Sequence, residues 1–397
     1  GNAAAGNAAA GNAAAGNAAA GNARRWEIQL KGAGPTPYSR QGDGRAVLRS
    51  SIRELICSEA MMHLGVPTTR ALALVGSGEP VVRDMFYDGN ARAEPGAIVC
   101  RVAPSFLRIG HLELLAAQGE QDALVALLGY ALKRDTSGLF DPTTMRPDKD
   151  GALALLESVC RSSAAMVMHW QRVGFVHGVL NTDNLSLHGI TIDYGPYGWL
   201  EGWDPDWTPN TTDAGGKRYR FGAQPDVVQW NLVQLANALY PIVHDVPALE
   251  RVLATYAEAF STQHDAMLTD KLGLPRPGTA ASDSDEDGAL IDGLGSVLGG
   301  AETDMTLFYR GLADVVAVIG RGNGPDGVAA DASADASADA SDGDHGGDQA
   351  LLDAIAPALY VEGAFDVGGG GHGKTVLAWL RRYRARLRTV GRPDAER

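Results

Sequence analysis

The sequence predicts an α+β protein of two lobes, a small strand-rich one followed by a larger helical one. Three observations carry that reading. Residues 26–31 alternate apolar and polar side chains, as a strand does. Short strand-like runs recur up to about residue 103. From Leu112 onward the pattern changes to long helical periodicity. Strands first and helices afterwards make an α+β layout rather than a chain of βαβ units.

Taken in order, residues 1–23 repeat Gly-Asn-Ala-Ala-Ala, which holds nothing able to bury a core and reads as a low-complexity leader. Trp26, Ile28 and Leu30 then alternate with Glu27, Gln29 and Lys31, placing Lys31 on the polar face of the first strand. A turn-rich stretch covers 32–44. A helix is expected over 51–64, opened by Ser51 and stopped by Gly65 and Pro67. Strand-like runs follow at 71–75, 81–86 and 97–103. The small lobe thus spans 24–110. The helical lobe starts at 111, with periodicity through 133 and again over 152–173, and this domain closes near 277. Residues 278–348 are rich in Asp, Ser, Ala and Gly and read as a largely disordered acidic insertion with one embedded helix near 305–319. Residues 349–397 read as a helical segment whose basic amphipathic helix, 375–388, packs on the helical lobe.

Bulk composition narrows the function classes. The 397 residues, 45% apolar, suffice for a large core. A net charge of −14 argues against a nucleic-acid partner, because phosphate backbones select basic surfaces. No run of about 18 apolar residues is visible by eye, so no membrane span is expected. Cys57, Cys100 and Cys160 lie too far apart for a zinc knuckle or a disulfide framework, which points to a reducing compartment. The histidines show no joint ligand spacing.

The chemistry is concentrated in His177-Gly-Val-Leu-Asn-Thr-Asp-Asn184 and Ile190-Thr-Ile-Asp-Tyr-Gly195. Kinase-type phosphoryl transferases open a catalytic loop with His, place a metal-binding Asn seven residues later, and end a short strand in a metal-binding Asp. His177, Asn184 and Asp193 have that spacing. Magnesium takes a few hard oxygen ligands, which an Asn carbonyl and an Asp carboxylate supply. The usual catalytic Asp position is occupied by Val179, so Asp183 is the carboxylate left to accept a proton. An ordinary protein kinase is therefore not expected. The competing reading is a solvated Asn-Thr-Asp-Asn turn with Asp193 capping a strand.

The second half of such a site would come from the small lobe. Lys31 could point at phosphates, with Glu54 on the following helix holding it. Glu54 is also explained by a capping box, Ser51-x-x-Glu54. Gln41-Gly-Asp43-Gly44-Arg45 is a glycine-rich turn that could approach a nucleotide. Arg101 interrupts an apolar strand, where a charge must be paired or face a cleft. Arg108 follows closely, and guanidinium forks suit phosphate oxygens. Either arginine alone could instead serve a structural salt bridge.

Several runs together resemble the selenoprotein O family: Leu30-Lys-Gly-Ala-Gly-Pro-Thr-Pro-Tyr-Ser-Arg40, the run from Gly42 to Glu54, Arg101-Val-Ala-Pro-Ser-Phe-Leu-Arg108, the 177–184 loop and Thr191-Ile-Asp-Tyr-Gly-Pro196. The resemblance implies a two-lobed protein-kinase-like fold that transfers AMP from ATP to protein hydroxyls. It further implies Lys31 on the phosphates with Glu54 as partner, and Asp43 and Gly44 lining the nucleotide. Arg101 and Arg108 would hold the γ-phosphate. Asp183 would be the general base, with Asn184 and Asp193 binding magnesium or manganese and Asp193 also touching the nucleotide. Its members carry a glycine-rich segment before the lysine strand and extend past the basic helix, so a chain shortened at both ends is expected. Their setting is mitochondrial in eukaryotes and cytoplasmic in bacteria. The alternatives are a phosphotransferase on the same scaffold and a non-catalytic ATP-binding module. A P-loop reading of 368–375 is disfavoured, because only 22 residues follow Thr375. Trp199, Trp203 and Trp207 read as structural packing.

Overall fold

The computed structural model describes residues 25–361 and 371–390, apart from 38, 40, 41, 86, 87, 136, 280 and 322–344. The leader, most of the Asp/Ser/Ala tract and part of the glycine run at 368–375 lie outside the described residues. The chain divides into two compact units. Of the described residues, the first holds those up to Gln171, Val176–Gly198 and Thr208–Phe260; the second holds Arg172–Phe175, Trp199–Trp207 and those from Ser261 on.

The first unit opens with an antiparallel sheet. Strand β1 (Glu27–Lys31) and the short β2 (Ala46–Val47) pair with β4 (Arg92–Ala103), and β3 (Arg70–Arg83) pairs with β4 from the other side. The runs at 71–75 and 81–86 prove to be one strand; its register slips between Gly76 and Pro80, but pairing resumes at Pro80 with Pro95. β4 likewise begins earlier than its apolar run.

Helix α1 (Leu48–His63) starts three residues before the expected Ser51, because β2 runs directly into it and Val47 takes the N-cap position without a side-chain bond. Ser51 is buried inside the first turns, its hydroxyl without a hydrogen-bond partner. The capping-box explanation of Glu54 is thereby withdrawn. The periodicity over 112–133 resolves into two helices, α2 (Ile109–Gln118) and α3 (Gln121–Leu132). Gly119 separates them in the left-handed region (φ 72), its N–H and that of Glu120 bonding back to Ala116 O and Leu115 O.

Helix α4 (Lys149–Val173) forms the spine of this unit, burying Leu155, Leu156, Val159, Val167 and Trp170. Among the described residues it is long and apolar enough to cross a membrane, but most of its apolar window is buried, as in a core helix. Trp170 Nε1 donates to Thr191 Oγ1 at 2.9 Å, tying the spine to the segment that carries Asp193. Helices α5 (Gln224–Val243) and α6 (Val246–Lys271) follow.

The second unit corrects the picture of 278–348 as largely disordered. Residues Ser284–Gly299 form α7, Met305–Arg321 form α8, and His345–Ile355 form α9. Leu290, Leu294, Val297, Phe308, Leu312 and Val315 enter a common core with Leu351, Ile355, Trp379 and Leu380. The composition hid this because apolar residues at helical spacing are diluted by Asp and Gly. The basic helix α10 (Gly371–Val390) packs here against α7, α8 and α9. Lys374 and Thr375 lie in its first turns, and residues 362–370, which hold the start of the glycine run before them, lie outside the described residues. Charge complementarity fastens it: Arg386 grips Asp287 through two bonds of 2.7 and 3.0 Å, with 7% and 10% of the side chains exposed.

Removing one member of such a desolvated pair leaves the other charge buried. Arg386→Ala is expected to cost the second unit about 3–5 kcal/mol. Urea denaturation of this unit checks it, and a loss under about 1 kcal/mol would reduce the pair to an ordinary surface bridge.

Candidate active site

The alternation in β1 sets the site. Glu27, Gln29 and Lys31 face inward, while Ile28 and Leu30 point outward with 64% and 56% of their surface exposed. Inward Lys31 Nζ meets Glu54 Oε2 of α1 at 2.7 Å and Asp193 Oδ1 at 2.6 Å. Arg101, in register opposite Gln29 on β4, reaches Glu54 Oε1 at 3.0 Å and Asp193 Oδ1 at 3.4 Å. Two cations and two carboxylates therefore interlock, with Glu54 and Arg101 only 3% and 5% exposed. This is the second reason Glu54 is no helix cap.

Gln29 was not picked out by sequence reasoning. Its Oε1 accepts a short hydrogen bond from Arg101 Nη2. Its place two residues before Lys31, on the same strand face, is the signal that would have found it. Glu27, a further two residues back, accepts from the Phe106 N–H at 2.8 Å and from the Tyr130 hydroxyl at 2.9 Å.

Asp193 adopts left-handed backbone (φ 64), a conformation unusual for a residue with a side chain and often met at working sites. Burial alone would raise its carboxyl, but Lys31, Arg101 and Arg108 outweigh burial and hold it well below the usual carboxylate range. Both cations bond Oδ1, which leaves Oδ2 for a further ligand.

The 177–184 loop is held by side chains acting on its backbone. His177 N–H donates to Gln224 Oε1 at 2.9 Å, and His177 Nε2–H donates to Ile192 O at 2.8 Å. Burial depresses the imidazole's affinity for a proton, which suits this neutral, structural role. Amide groups of Asn210, Asn184 and Asn231 donate to Gly178 O, Val179 O and Leu180 O at 2.9, 3.1 and 3.0 Å. The loop ends in a 3₁₀ turn, Thr182–Asn184. Leu185 then pairs antiparallel with Thr191, so Asn184 and Asp193 leave that bridge at the same end.

Arg108 Nη1 donates to Asp183 O at 2.9 Å. Burial lowers the guanidinium's pKa, and the charges of Asp193 and Asp183 partly restore it. The Nε atoms of Arg101 and Arg108 are both buried without a hydrogen-bond partner, an uncommon state for a buried donor.

Asp43 and Gly44 are engaged differently. Asp43 takes two bonds from Arg83, at 2.7 and 2.8 Å, and one from Arg45 N–H, which together hold its carboxyl down to about 2. Gly44 (φ 65) lies where a Cβ would collide with Gly34 O at 2.1 Å, closing the glycine-rich loop on itself. Neither is bonded to the Lys31 cluster. A cavity of about 430 Å³, lined by residues including Arg49, Arg83 and Glu94, also shares no residue with that cluster.

Two side-chain oxygens of the kind a hard cation takes are left open here. Asn184 commits its amide nitrogen to Val179 O and keeps its carbonyl oxygen, and Asp193 keeps Oδ2. Among the described residues no group of three or more His, Cys, Asp and Glu side chains gathers around a point, as a soft-metal or all-protein site would need.

Over residues 13–396 the chain matches the family model described as protein adenylyltransferase SelO. The chain belongs to the SelO family. Curated relatives carry the name protein nucleotidyltransferase YdiU. The protein of Azoarcus sp. strain BH72 is 60% identical over 291 residues, 73% of this chain and 54% of that relative. The protein of Aromatoleum aromaticum is 57% identical over 292 residues, again 73% and 54%. In Nitrosospira multiformis identity is 49% over 374 residues, 94% of this chain and 63% of the relative. The chain thus spans about half the length of the first of these. Membership agrees with the resemblance carried by the runs around Lys31, Glu54, Arg101 and Asp193.

The depressed Asp193 carboxyl gives a pH signature. A carboxylate held below its unfolded value, near 3.8, contributes stability above that value and loses it as pH falls toward the folded one. Between about pH 5 and 2.5 the parent is expected to lose more urea resistance than Asp193→Asn, which has nothing to titrate there. Parallel losses in the two proteins would show that the cluster does not bind the Asp193 charge as described.

Proposed function

We propose that this chain carries the catalytic core of a protein adenylyltransferase that moves AMP from ATP to Ser, Thr or Tyr hydroxyls of other proteins. The scaffold in this reading is a two-lobed, protein-kinase-like fold. The observation that carries it is Lys31 Nζ held at once by Glu54 and Asp193, a strand lysine, a helix glutamate and an aspartate two residues past the Thr191 bridge meeting at one point. Family membership and the relatives' names support nucleotidyl transfer.

Each residue then has a task. Lys31 and Arg101 exchange part of their carboxylate contacts for phosphate oxygens. Arg101 Nε and Arg108 Nε, buried and unpaired, find acceptors on the γ-phosphate. Asn184 and Asp193 would hold magnesium or manganese, which when bound offsets phosphate charge. Asp43 and Gly44 would border the nucleotide through the loop that Gly44 closes.

Asp183 takes the proton from the acceptor hydroxyl as its oxygen attacks the α-phosphorus. The bond from the α-phosphorus to the oxygen bridging to the β-phosphorus breaks, and pyrophosphate leaves with that electron pair. Transfer of the α-phosphoryl group, rather than the γ, requires the triphosphate's far end to be buried against Arg101 and Arg108. That demand separates this function from phosphorylation on the same scaffold.

With the full-length protein and ATP labelled at the α-phosphate, label is expected on protein substrates; incorporation only from the γ-phosphate would make it a phosphotransferase. Asp183→Ala should cut transfer by at least about 100-fold while ATP still raises the melting temperature, as expected for loss of a general base. Asp193→Ala should abolish metal-dependent ATP binding in calorimetry. Unchanged magnesium-ATP affinity in that variant would remove Asp193 from the metal site.

A further inference from the structure

The first turn of α2 touches the 182–184 turn at three points. Arg108, at its N-cap, donates to Asp183 O at 2.9 Å. Glu113 accepts a short hydrogen bond from the Thr182 hydroxyl. Between them Gly110 is buried against Asp183 itself. A Cβ at Gly110 would stand 2.5 Å from Asp183 Oδ1, and 3.3 Å from both Asp183 N and Thr182 C. The segment is further locked by Ile109 N–H donating to Leu185 O and Leu187 N–H donating to Leu107 O, both at 3.0 Å.

Gly110 is helical, with no left-handed backbone to explain it, and glycine is a poor helix former where alanine is the best. What its hydrogen allows is close approach of a carboxylate. The backbone of the 182–184 turn is held against α2 by Arg108, Glu113 and the Ile109 N–H bond to Leu185 O, and within its own loop by the Asn184 bond to Val179 O. A methyl group there must therefore be met by rotation of the Asp183 side chain.

We propose that Gly110 is a positioning residue for AMP transfer: it sets where the Asp183 carboxylate stands relative to the acceptor hydroxyl, with Glu113 holding the adjoining Thr182. This rests on the assignment of Asp183 as general base. Proton abstraction needs the carboxylate within hydrogen-bond reach of one hydroxyl, so a displacement of about 1 Å is enough to cost rate. Lys31, Arg101 and Arg108 are untouched by the change, so ATP binding is spared.

The test uses the full-length protein with α-labelled ATP. Gly110→Ala is expected to lower kcat at least tenfold with KM for ATP within twofold of the parent and ATP-induced thermal stabilisation retained. Placed in the Asp183→Ala background, the same substitution should add no further loss, since it acts through a side chain already removed. Glu113→Ala should also lower kcat without raising KM for ATP, and it decides the matter if Gly110→Ala does not fold. Parental kcat in both variants, or additive losses in the double variant, would overturn the proposal. A crystal structure of Gly110→Ala should show the Asp183 carboxylate rotated from its place over α2; an unmoved carboxylate overturns the proposal as well. That last reading needs no turnover, so it separates failure of the positioning claim from failure of the adenylyltransferase reading, which is decided by the parent's own α-label transfer.

Discussion

The candidate site of the first unit is built around a neutral set of four charges, Lys31 and Arg101 against Glu54 and Asp193. Desolvating any one of them alone would be expensive, so each depends on the others being in place. That dependence fixes β1 against β4 through Arg101 and Gln29. It fixes α1 against the sheet through Glu54, and the segment after Thr191 against both through Asp193. Such a set is also convertible. In the proposed function an incoming polyanion and its cation would take over contacts that the two carboxylates and two cations now make with each other.

The second half of the site is held by a different device. Its loop carbonyls are each bonded by a side-chain amide, from Asn210, Asn184 and Asn231, and its histidine is a buried strut between Gln224 and Ile192. These neutral bonds are insensitive to salt and pH near neutrality. Neutral bonds shape the loop, and the charged groups are gathered in the Lys31 cluster.

Much of the site was legible in the sequence because its signals are local. The spacing from His177 through Asn184 to Asp193 and the inward phase of Lys31 required only counting. The function of Glu54 was not separable from a cap by counting, since Ser51-x-x-Glu54 satisfies both; the early start of α1 at Leu48 decides between them. Gln29 and Gly110 were invisible because their meaning is a distant contact, with Arg101 72 residues away in one case and with Asp183 in the other. The second unit was undervalued for a compositional reason. Asp, Gly and Ala dominate 278–348 by number, yet Leu290, Leu294 and Val297 fall on one helical stripe and are nearly fully buried.

The reversed phase of β1 has a practical side. In most half-covered sheets the greasy edge of a strand is the one hidden and the ionic edge faces solvent. Here the ionic edge is the hidden one, and the oily methyls of Ile28 and Leu30 meet water. An engineer wanting a better-behaved preparation could therefore exchange those two aliphatics for hydrophilic residues without disturbing any buried packing, a freedom that conventional core-and-surface bookkeeping would have assigned to Gln29 and Lys31 instead.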